Sequence, residues 1–337
     1  MASREFLMVV EESAWKTPVT TPTVWTTGTA YGLANAAAYY PRLDGDNAFS
    51  LRMRPSGTIT TMYGGGVPTP AAKVADKQAM VGTLSMKLSI FQAPFWLSWA
   101  GIQINSGQTA PWVTTRAAGD LASCALYHGI TRGDGTIDRK VYLGTLCSGF
   151  TFSISEGSTV GTLVLDLIAA VRQGNTFDSS TDPSAGTFPV AADNNLPTDW
   201  FQYIHAGGSN FVTIGGAVRT QFTELTISVK NVIAQAYYAN RFPQVLQYLG
   251  RTTTVATRLL YPPSSQADRT HYEQLASESL SIEVNNGTHG FTMGLNAQNV
   301  FEPLDDDLKM GDLYYQASTS NNLWDPSAGS DFTLTFA

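Results

Sequence analysis

The sequence predicts a mainly β protein made of two tandem sandwich or barrel domains, residues 1–197 and 198–337, each with long strands, a short packed helix and long loops. Three observations predict it. Several segments alternate between apolar and polar residues, the two-residue period of a strand with one buried face. Residues 174–199 (GNTFDSSTDPSAGTFPVAADNNLPTD) have the composition of a boundary or a long exposed loop. The pattern of strands, hairpin and short helix recurs in both halves without obvious identity, a weak sign of duplication.

In chain order, residues 13–45 carry Pro18, Pro22 and Pro41 among many Thr and Ala, and read as an arm rather than a packed element. Residues 48–62 alternate weakly before Gly64-Gly65-Gly66 and Pro68, so a hairpin or long loop is expected over about 55–80. Leu84, Met86, Leu88 and Ile90 then alternate with Thr83, Ser85, Lys87 and Ser89. Gln92 to Gly101, with Trp96 and Trp99 three apart, fits a short helix with a glycine stop. In 140–171, Leu146, Phe150, Phe152 and Ile154 are expected on one face, and Cys147, Thr151, Ser153 and Ser155 on the other. Leu163, Leu165 and Leu167 mark the returning strand, with Asp166 opposed to them.

The second half repeats the style. Leu225, Ile227 and Val229 alternate with Glu224, Thr226, Ser228 and Lys230. Residues 242–249 (FPQVLQYL), before Gly250, read as the second helix. Leu280, Ile282 and Val284 alternate with Ser281 and Glu283 ahead of the Asn286-Gly287 turn signal. Phe332, Leu334 and Phe336 form a last short strand.

Composition narrows the function. Hydrophobic residues make up 43% of the 337 and charged residues only 14%, against ~25% in an average soluble domain. A surface this poor in charge is expected to meet other protein, since charge keeps free monomers soluble and apart. The net charge is −7, and Lys and Arg form no run, so a tight grip on nucleic acid is not expected. The most apolar stretch, Ile90 to Ile102, contains Gln92, Pro94 and Ser98 and falls short of the ~20 residues that span a bilayer. No membrane role is expected. The apolar run at the N-terminus is too short for a signal peptide, so synthesis in a reducing cytoplasm is expected.

No catalytic constellation emerges, and an enzyme is not expected. The four histidines are dispersed, there is no GxSxG or P-loop, and Asp134 to Asp138 lacks most positions of a calcium loop. Cys124 and Cys147 lack CxxC spacing and read as a free, buried pair. No cofactor or metal is expected. Seven Trp residues are spread along the chain and serve either as stacking platforms for sugars or, more simply, as core and interface.

Three segments carry a resemblance. Glu11-Glu12-Ser13-Ala14-Trp15-Lys16-Thr17-Pro18 is similar to the E-S-x-x-G-T-P opening of many phage and prophage tail tube proteins, with Lys16 where glycine is usual. Phe222 to Asn231 resembles the second-half strand of that family, which ends in Asn, and Lys140 to Ile154 resembles its first-half strand. The resemblance implies a siphovirus-like structural virion protein, assembled in the bacterial host cytoplasm into stacked rings that form the tail tube. DNA would pass through without specific binding. Two tube domains per chain imply a trimeric ring with pseudo-sixfold symmetry; one implies a hexamer. Tape measure protein and tail terminator are the implied partners. By position, Glu224, Thr226, Ser228, Lys230, Ser281 and Glu283 are candidates for the lumen face, expected to be acidic on balance. Gly64, Gly65, Gly66 and Pro68 are candidates for contacts between rings. The alternative is a β-sandwich module from a phage tip or a secreted protein that binds carbohydrate or a receptor.

Overall fold

Alternation resolves into strand pairing in the computed structural model, which describes residues 4–17, 23–24, 37–39, 41, 48–55, 59–62, 72–75, 78–88, 93–101, 103–104, 121–131, 137–155, 161–173, 211–214, 217–219, 222–238, 242–260, 277–285, 290–301, 315–322 and 332–336. The protein is mainly β. The first half contains β1 (Arg4–Glu11), β2 (Thr23–Val24), β3 (Ala37–Tyr39), β4 (Phe49–Pro55), β5 (Ile59–Met62), β6 (Ala72–Ala75), β7 (Gln78–Lys87), α1 (Ala93–Trp99), β8 (Gln103–Ile104), β9 (Cys124–Thr131), β10 (Ile137–Ser155) and β11 (Thr162–Gln173). The second contains β12 (Phe211–Ile214), β13 (Ala217–Arg219), β14 (Phe222–Ala236), β15 (Val245–Leu260), β16 (Ser277–Asn285), β17 (Gly290–Phe301), β18 (Tyr315–Asn322) and β19 (Phe332–Phe336). Among the described residues, only β2–β3 and β8–β19 pair in parallel.

The main layer runs β4-β7-β11-β10-β14-β15 and continues into β18. Strand β10 is 19 residues long and changes partner along one edge. Its first part pairs with β9, which pairs with β1; its last part pairs with β14 of the second half. A second stack runs β13-β12-β16-β17-β19-β8.

Cross-strand rows build the core. Leu84, Leu165, Phe150 and Val229 form one row, and Met86, Leu163, Phe152, Ile227 and Val255 the next. All are buried, and Leu280 and Ile282 of the second stack belong to the same cluster. Burying each such side chain is worth about 1.5–3 kcal/mol. A one-residue slip would turn every one of them outward, so the register across both halves is fixed by this face. Helix α1 lies within the same cluster, with Phe95, Trp96, Leu97 and Trp99 at 1% exposure or less. Tyr39 stacks on Phe95 at 3.8 Å, the Trp99 indole donates to the Thr145 carbonyl, and Gly101 at φ +85° ends the helix.

Three local expectations are corrected. Residues 242–249 form no helix: the chain turns and enters β15, where Val245, Leu246, Gln247 and Tyr248 pair with Ala236, Gln235, Ala234 and Ile233. A short apolar run carries no period of its own, and pairing across the hairpin decides. Cys147 does not share a face with Thr151. The register shifts between Cys147 and Gly149, and this bulge reverses the side-chain parity. Cys147 therefore enters the main core while Leu146 joins a different cluster with Ile168 and Leu246. Within 13–45, β3 pairs with β1 and buries Tyr39, so part of the expected arm is packed. The ribbon over 55–80 is present as β5 paired with β6 between β4 and β7. Gly64, Gly65, Gly66, Pro68 and the segment 174–199 lie outside the described residues.

Candidate functional site

Beyond the apolar cluster of Leu146 and Ile168, the face of the main layer opposite the core is a field of mostly short polar side chains. Its register can be read across five or six strands. One row is Ser50, Thr83, Asp166, Gly149, Lys230 and Thr252. The next is Ser85, Val164, Thr151, Ser228 and Thr254, followed by Lys87, Thr162, Ser153, Thr226 and Ala256. The last is Ser155, Glu224 and Arg258. Residues of these rows alternate strictly with the buried rows, so they point away from the core.

Four of the six lumen candidates, Glu224, Thr226, Ser228 and Lys230, lie together on this face. They alternate with Leu225, Ile227 and Val229, each buried at 1% exposure or less. Ser281 and Glu283 do not join them. They sit on β16 between Thr213 and Phe211 of β12 on one side and Gly294 and Thr292 of β17 on the other. Their neighbours Leu280 and Ile282 point into the shared core, so Ser281 and Glu283 face outward from a different layer.

Charge on the polar rows is mixed rather than acidic: Asp166 and Glu224 stand against Lys87, Lys230 and Arg258, one more cation than anions. Glu224 and Arg258 are direct cross-strand partners with a 3.7 Å ion pair, an exposed contact worth only ~0–1 kcal/mol. Lys87 donates to the Thr162 hydroxyl at 3.0 Å. Burial pushes the Asp166 carboxyl above the usual carboxylate range, and nearby Lys230 opposes that rise. Gly149 lies between them. A Cβ there would meet the Val229 carbonyl oxygen at 2.6 Å, so only glycine allows β14 to approach this closely.

Sequence reading placed Thr151, Ser153 and Ser155 on a polar face but did not join that face to β14. The strand-level pattern contains no sign of which strand lies beside which. Two further residues show their role only in the folded chain. The Asn231 side-chain amide donates to the carbonyls of Ala100 and Cys147, both at 3.0 Å, tying α1 and the β10 bulge to β14. The Glu12 carboxylate accepts the backbone N–H groups of Gly144 at 2.8 Å and Lys16 at 3.0 Å.

Other chemistry finds little support here. Cys124 and Cys147 are free and fully buried, and burial pushes the Cys147 thiol up to about 12. Among the described residues, no group of three or more His, Cys, Asp and Glu is placed to hold a metal ion. His128 packs edge-on against Phe49 at 5.0 Å. Trp96 and Trp99 are in the core, so neither offers a ring to a sugar. No helix among the described residues is long and apolar enough to cross a membrane. No protein-family model matches the chain, and no curated protein matches it.

Proposed function

We propose that this chain is a phage tail tube subunit, a structural virion protein whose copies assemble into stacked rings around a passage for DNA. The observation that carries this reading is the polar face shared by both halves. Strands β10 and β14 pair across the halves, and Ser, Thr and Gly with scattered charges of both signs run across the join. Such a surface can be wetted and passed over by a polyanion, because it offers no basic stripe to neutralise successive phosphates. Two further features support the reading. Lys16 stands where the E-S-x-x-G-T-P pattern has glycine, and its φ of +59° is the conformation glycine favours. Asn231, at the end of the resembling strand, is buried and links three elements.

In this reading each half contributes one tube domain, and three copies close a pseudo-sixfold ring. Strand β4 pairs only with β7 among the described residues and is the edge through which the next copy would extend the lining. A closed ring removes the hazard of an open edge. The passing DNA makes no specific contact, and tape measure protein and tail terminator are the partners. Negative-stain microscopy of the purified full chain tests the proposal. Rings or tubes with a central channel are expected at high concentration. A monomer that stays monomeric across the concentration range, including with a tape measure protein from the same virus, would refute it.

A further inference from the structure

Beyond Lys230 and Thr252, the β14–β15 hairpin is no longer paired into the main layer, and its Leu246 and Ile233 pack back onto Leu146 and Ile168. Pairing with β10 ends at Lys230 and pairing with β18 begins at Thr253, so residues 231–236 and 245–251 pair, among the described strands, only with each other. A two-stranded ribbon is marginal by itself, and this one exposes Val232, Tyr238, Val245 and Leu249. Its turn is nevertheless held. The Lys16 ammonium donates to the Pro243 carbonyl at 2.9 Å, and the Trp15 indole donates to the Gln244 carbonyl at 3.3 Å. Both donors lie more than two hundred residues away in sequence.

The segment bearing these donors is itself fixed to the first half. Ala14 and Thr17 close a small turn, with Lys16 in the left-handed region and its ammonium 5.6 Å from the centre of the Trp15 ring. Glu12, at 4% exposure, accepts from Lys16 N–H with one carboxylate oxygen and from Gly144 N–H with the other. Gly144 has φ +61°, and a Cβ there would press on Trp15, Lys16 and Ala170 at 3.0–3.1 Å. The seat is therefore shaped for this turn.

We propose that residues 12–17 form a strap that locks the turn of the β14–β15 hairpin in one orientation against the first half, with Glu12 as its buried fastener. Releasing the strap would loosen the turn while leaving the main layer paired and Leu246 packed on Leu146 and Ile168. The strap is thus a conformational control on the presentation of that turn. It stands whether or not the chain builds tubes.

Hydrogen exchange of the full chain, read by mass spectrometry, tests this in Lys16→Met and Glu12→Ala. Lys16→Met should accelerate exchange at Gln244, whose N–H is bonded to the Ala236 carbonyl, by roughly two- to tenfold, the effect of losing one hydrogen bond. Gly144 should keep its protection in that variant, because Glu12 remains. Glu12→Ala should release Gly144, Lys16 and the hairpin turn together, with the other β10–β11 amides unchanged. Unchanged hairpin exchange in Lys16→Met overturns the proposal. Should Glu12→Ala lose protection along the whole chain, Lys16→Met alone decides, since its side chain is only half buried and the variant is expected to fold.

Discussion

Gly149 sits directly across from Lys230, an antiparallel pair that joins strand β10 of the first half to β14 of the second. The contact lies just after the β10 bulge. There the polar face and the junction between halves meet at one residue without a side chain. Gly149→Ala is therefore expected to act at a distance from its own size. Its Cβ would collide with the Val229 backbone oxygen, which cannot rotate away. Overpacking of this kind costs about 1–3 kcal/mol. Urea denaturation should show that loss, while Ser148→Ala, at the half-exposed bulge position, should stay within about 0.5 kcal/mol of the parent.

Asn231 is expected to be more sensitive than its polarity implies. Its amide satisfies two carbonyls, one at the end of α1 and one in the bulge. Asn231→Ala leaves both acceptors buried without that donor, and each such loss costs about 1–3 kcal/mol. Asn231→Asp should be at least as harmful, because a carboxylate would face two carbonyl oxygens. Thermal or urea unfolding of the two variants checks the ranking. An Asn231→Asp protein as stable as the parent would show that the amide orientation is unimportant.

The parts of the fold that were legible in the sequence are those where one strand carries its own signal. Leu225, Ile227 and Val229 alternate cleanly, and so do Leu163, Leu165 and Leu167; all six are core residues. The helix around Trp96 and Trp99 was legible because a dense apolar run ends at Gly101. What failed depended on a partner. The parity of Cys147 turns on one extra residue at Ser148. Residues 245–249 become strand because 233–236 lie opposite. Ser281 and Glu283 have the same local pattern as Thr226 and Ser228, yet belong to another layer, and only the strand order separates them. Glu12 and Asn231 stood in the quoted motifs, but their bonding partners lie 132 and 131 residues away.

Both thiols are expected to be chemically silent in the native protein. Cys124 and Cys147 have no exposed surface, and the Cys147 thiol, which donates to the Gly149 carbonyl at 3.1 Å, has its pKa raised to about 12. The thiolate is the reactive species, so an alkylating reagent at mildly alkaline pH should label neither residue until urea unfolds the chain. Native labelling of Cys147, followed by peptide mass spectrometry, would mean that the β10–β14 junction opens readily.

The pH dependence of stability should carry a signature of Glu12. Burial, the largest influence on its carboxyl, raises its pKa above 4.5, against the lowering effects of the Gly144, Ser123 and Lys16 contacts. The Lys16 charge is among the influences that lower it, and Glu12 in turn adds to the rise of the Tyr127 phenol. A raised carboxyl pKa means that the folded state binds the proton more tightly than the unfolded chain. The linkage slope is then negative between the two pKa values. Stability contributed by Glu12 should rise as pH falls from neutral through its folded pKa, and level off below the ordinary value of 4.5. Glu12→Gln removes the titration. The stability difference between parent and variant, taken from urea curves at a series of pH values, should therefore grow in favour of the parent on acidification. A difference that shrinks instead would mean that the Gly144 and Lys16 hydrogen bonds outweigh desolvation and that the carboxyl is depressed.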